Sequence, residues 1–104
     1  MTDILNKISQ IIEDYDGGRW ESLDNLRILL RRLSSNYYYL TKHNIEYAQA
    51  WNMEVYNFKG SNAAAQTFAD LKVPELRITR KILMAADRVI NSIRSEISII
   101  KSES

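Results

Sequence analysis

The chain has 104 residues, 26% of them charged, with a formal net charge of +1. That length suits one domain, residues 1–104, with a modest core. The lack of cysteine excludes disulfides and thiolate metal sites and fits a reducing cytoplasm. No apolar run reaches the length of a membrane span, and "MTDILNKISQ" lacks a basic stretch followed by an apolar one, so neither a membrane span nor a secretory leader is expected.

Charge is unevenly spread. Residues 1–18 set Lys7 against Asp3, Glu13, Asp14 and Asp16, whereas both long segments that follow, 19–59 and 72–104, are mildly basic. The first segment predicts a helix over about 2–15. Ile4, Leu5, Ile8, Ile11, Ile12 and Tyr15 fall on one face, Thr2 is a candidate N-cap, and Gly17–Gly18 stops the helix.

The second segment carries a ladder spaced 3,4,3,4 from Leu23 through Leu26, Leu30, Leu33, Tyr37, Leu40, Asn44, Tyr47, Trp51 and Glu54 to Phe58. No proline or glycine interrupts 21–59, so one helix of about 39 residues, roughly 58 Å long, is expected there. Gly60 is the expected left-handed C-cap. Residues 60–72 read as a loop or a short helix with Asn62 as its cap. Pro74 and Glu75 suit the first turn of a last helix over about 74–101. That helix has one ladder through Leu76, Thr79, Leu83, Ala86, Ile90, Ile93, Ile97 and Ile100. A second stripe beside it holds Ile78, Ile82, Ala85, Val89 and Ile99.

The fold class is therefore all-α: a short N-terminal helix plus a long antiparallel helical hairpin, oligomerising through coiled-coil-like packing. A hairpin buries one stripe of each helix, and the first helix can cover only the N-terminal half of the second. Val55, Tyr56, Phe68, Ile78, Ile82 and Val89 are left for a partner, and a homo-oligomer is expected. Asn44, a lone amide in the ladder, is of the type that sets register and oligomer number.

No enzyme motif is present. There is no Gly-rich phosphate loop, and the one histidine, His43, has no catalytic or metal partner at useful spacing. The chain reads as non-enzymatic, with no catalytic residues, no cofactor and no metal. Arg27, Arg31 and Arg32 on the second helix, and Arg77, Lys81 and Arg88 on the last, are either solvated faces or phosphate-contacting stripes. Among the three consecutive tyrosines, Tyr37 belongs to the ladder. Tyr38 and Tyr39 point elsewhere, to a subunit contact or a base-stacking platform.

The run "YYYLTKHNIEYAQAW", the ending "YNFKG", the small-residue loop "SNAAAQTFADLKV" and the final "PELRITRKILMAADRVINSIRSEISIIKS" together resemble the small phage recombination mediators of the UvsY type, over roughly residues 24–102. The resemblance implies an oligomer built from long helical hairpins that binds single-stranded DNA and assists the loading of a recombinase. In that family the segment leading into the glycine is distinctly basic, whereas "WNMEVYNFKG" offers only Lys59 beside Glu54. By position, the resemblance points to Lys59 and Tyr56 as DNA contacts. The alternative is a helical protein–protein interaction, anti-defence or adaptor protein without nucleic-acid binding. Gathering of the bases on one surface of the assembly separates the two readings.

Overall fold

The computed structural model describes residues 2–103; Met1 and Ser104 lie outside them. Four helices make up the described chain: α1 (Thr2–Asp16), α2 (Leu23–Asn57), α3 (Asn62–Lys72) and α4 (Glu75–Glu103). No strand occurs among the described residues. The molecule is elongated, 62 × 24 × 20 Å, as the 35 residues of α2 require: at 1.5 Å per residue they span roughly 52 Å.

The helix ends follow local chemistry. Ser22 caps α2, its side chain accepting from the Asn25 N–H at 3.2 Å, and Ser61 caps α3 in the same way through the Ala64 N–H. Thr2 is the first residue of α1, not the residue before it, and Asn62 is likewise inside α3. The expected left-handed cap at Gly60 is absent. α2 ends earlier, at Asn57, and Phe58 turns extended with φ −78° and ψ 132°. Gly60 serves a close approach instead, since a Cβ there would stand 2.8 Å from the Phe58 ring. The left-handed glycine is Gly18, φ 69°, in the turn between α1 and α2.

The main core joins three helices. Ile8 and Ile11 of α1, Leu26, Leu29, Leu33 and Leu40 of α2, and Ala86, Val89, Ile90 and Ile93 of α4 form one buried cluster. Tyr37, Leu30 and Ile82 pack against it half-buried. The contact of α2 with α4 is the most extensive in the molecule.

Toward the other end α3 does what sequence reasoning left to a second chain. It packs on α2, burying Ala65 and Ala69, and sets Phe68 against Phe58 with ring centroids 5.0 Å apart. Two small alanines let the short helix approach closely. Val73 and Leu76, both buried, carry the chain into α4. The C-terminal half of α2 thus has intramolecular cover.

Candidate nucleic-acid interface

The three tyrosines separate as 100° steps demand. Tyr37 joins the core, and Tyr38 and Tyr39 stand outside, their rings edge-to-face at 5.6 Å. Tyr38 is 58% exposed. One turn on, the Lys42 ammonium lies 4.7 Å from the Tyr38 ring centroid and 6.0 Å from that of Tyr39, an exposed cation–π pair. Lys42 was not among the expected contacts; its i,i+4 spacing from Tyr38 was the available signal.

Counted in those steps, Arg27, Arg31, Tyr38, Lys42, Ile45 and Tyr56 share one outward face of α2, directed away from its buried leucines. All six are exposed, Tyr56 to 85%. Arg27 to Tyr56 spans roughly 43 Å. Between Arg27 and Tyr56 no carboxylate stands on this stripe, although Asp24, one turn earlier, points the same way as Lys42. Glu46 is about 80° away, 3.8 Å from His43, and Glu54 about 160° away. Asp24 flanks the start of the stripe, 3.8 Å from Arg27, with both side chains largely solvated.

The other expected contacts are not brought to this face. Arg32 lines a hollow against α1 with Lys7, Gln10, Asp14 and Asn36. Lys59 follows the extended Phe58 beyond the end of α2. Arg77, Lys81 and Arg88 share an outward face of α4 opposite its buried side. Two of these are in ion pairs: Arg88 with Asp16 of α1 at 3.3 Å, and Arg77 with Asp70 of α3 at 3.2 Å. The α2 and α4 bases therefore form two surfaces.

Several residues assigned to a subunit interface are occupied within the chain. Asn44 donates to Thr79 Oγ1 at 2.8 Å, and Thr79 donates in turn to the Leu76 carbonyl at 3.1 Å, joining α2 to α4. Val89 is 0% exposed in the core that α1, α2 and α4 share, while Ile78 and Ile99 of the same stripe stay about half exposed. Val55, Phe68 and Ile82 are half-buried. Tyr56 and Ile78 remain exposed, joined by Ile45, Met53, Leu71 and Met84, which the ladder analysis did not single out.

Among the described residues no group of three or more His, Asp or Glu is placed to hold a metal ion. Tyr15 has its pKa raised above the ordinary tyrosine value, first by burial and then by the nearby Glu96 carboxylate. No helix is long and apolar enough to cross a membrane among the described residues. Compared with family models, with curated proteins and with solved structures, the chain matches none.

Proposed function

We propose that this chain is a non-enzymatic, self-associating helical protein that binds single-stranded nucleic acid along the outward face of α2. In this reading α2 and α4 are the arms of an antiparallel helical hairpin, as the Asn44–Thr79 bond and the shared core support. The single observation that carries the function is the acid-free stripe from Arg27 to Tyr56, with Lys42 held over the Tyr38 ring. Bases spaced along a helix meet successive phosphates, and exposed tyrosines offer stacking that any base can use. Each chain supplies few cations, and repetition of the stripe in an oligomer multiplies weak contacts by copy number. Assistance to a recombinase is the role such a coated strand would serve.

Fluorescence anisotropy with a labelled oligo-dT strand tests this. Binding is expected at low salt and should fall steeply toward physiological salt, because each neutralised phosphate releases counterions. Arg27→Glu with Arg31→Glu should abolish it while leaving helicity intact, and Tyr38→Ala should weaken it about tenfold or more, the scale of one lost stacking contact. No binding at low salt would overturn the reading. A second reading then takes its place, because Ile45 and Met53 are also exposed on α2. The helix would dock a protein, as an adaptor does.

A further inference from the structure

Two hollows meet at the corner where α3 passes into α4. One is lined by Leu71, Val73, Pro74 and Ile78, the other by Trp51, Leu76 and Met84, and Asp70, Arg77 and Lys81 belong to both. Arg80 adds a third cation to the second hollow. Asp70 is the only carboxylate lining either hollow, and it is already engaged. It accepts from the Trp51 indole N–H at 2.9 Å and from Arg77 at 3.2 Å. Arg80 and Lys81 are both exposed, so the corner carries surplus positive charge.

The same corner exposes aliphatic side chains. Leu71 is 78% exposed and Met84 74%, with Ile78 nearly half exposed. Exposed apolar side chains on both sides of the Arg77–Lys81 row mark a protein-docking surface more than a strand-binding one. Leucine, isoleucine and methionine give a nucleobase no ring to stack on, whereas methionine adapts to an incoming apolar side chain. The Trp51 indole N–H is committed to Asp70. We infer that the α3–α4 corner docks an acidic peptide segment of a partner protein, with one apolar anchor against Leu71 and Ile78, a second against Met84, and carboxylates on Arg77, Arg80 and Lys81. The inference stands on its own observations, apart from strand binding on α2, which uses the opposite face.

The test is a fluorescein-labelled peptide of Asp and Glu residues flanking a central Leu-Phe pair, set beside the same peptide with Ser-Ser at the centre. The Leu-Phe peptide is expected to raise anisotropy and to shift Trp51 emission, read in a Trp20→Phe background. Arg80→Glu with Lys81→Glu should weaken it about tenfold or more, as loss of complementary charge does. Leu71→Ser with Met84→Ser should weaken it several-fold with unchanged helicity, since both side chains are exposed. Arg27→Glu with Arg31→Glu should leave it unchanged, so that failure of the strand-binding reading stays distinguishable. Equal binding of the Ser-Ser peptide would overturn the inference by reducing the corner to bare charge. Displacement of the peptide by oligo-dT would overturn it by assigning the corner to nucleic acid, and so would absence of binding at low salt.

Discussion

Asn44 shows how one polar side chain can be read for the wrong partner. A lone amide in an apolar ladder sets register wherever two helices meet, because slipping the pairing leaves its hydrogen bonds unmade. Here the helices are α2 and α4 of one chain, and the partner is the fully buried Thr79. Position along both helices puts this pair between the main core around Leu40 and Ala86 and the α3 end around Ala69 and Leu76. The asymmetry of hydrogen-bond energetics makes a specific expectation. Thr79→Val alone leaves the Asn44 amide half-buried without its acceptor and should cost about 1–2 kcal/mol. Adding Asn44→Leu replaces both partners with apolar groups and should recover most of that loss, at the risk of a less specific α2–α4 register. Urea unfolding of the two singles and the double checks it; strictly additive losses would contradict it.

At the scale of elements, α3 is the least self-sufficient piece. Eleven residues are too few for a stable isolated helix, so its order comes from docking. Two alanines and Phe68 supply the apolar contact, and Asp70 supplies the polar one, tying α3 to Trp51 on α2 and to Arg77 on α4. Asp70 is substantially solvated, so the ion pair itself contributes little. Asp70→Ala should therefore cost only about 1 kcal/mol globally. Its local effect should be larger: amide exchange in α3 should accelerate well before exchange in the core of α2, because a docked helix held by few contacts opens on its own. Uniform acceleration across both helices would show that α3 and α2 open as one unit.

The whole molecule buries its α1-facing stripe and leaves apolar side chains on its outer faces, and this changes where assembly should be sought. Val89 is sealed inside the chain, so Val89→Glu should unfold the protein by placing a charge in the core. The informative variant is Ile28→Glu with Met53→Glu, exposed on α2 about 70° round from the strand-binding stripe. Sedimentation is expected to give an oligomer for the parent chain and a monomer of unchanged circular dichroism for that variant. A parent chain that stays monomeric would remove the self-association step of the proposed function. Loss of helicity in Val89→Glu but not in the surface pair would confirm which stripe belongs to the fold.

The all-helical class, the short first helix and the two long helices were legible in the residues alone, whereas 60–72 read equally as a loop or a short helix. Apolar side chains at 3,4 spacing, glycines in the first turn and proline at the last are local signals, each acting within a few residues, whereas the capping serines Ser22 and Ser61 were not read from them. The separation of Tyr37 from Tyr38 and Tyr39 was legible for the same reason. The residues also showed that α4 has more apolar face than one neighbour covers. What covers it was not readable, because pairing of faces depends on where helices lie in space, and periodicity describes each helix alone. Only the tertiary structure put Val89 in the core that α1, α2 and α4 share, laid α3 along the far half of α2, gave Asn44 a partner in its own chain and divided the basic residues between opposite faces. These outcomes rest on contacts between residues far apart in sequence, which no local pattern encodes.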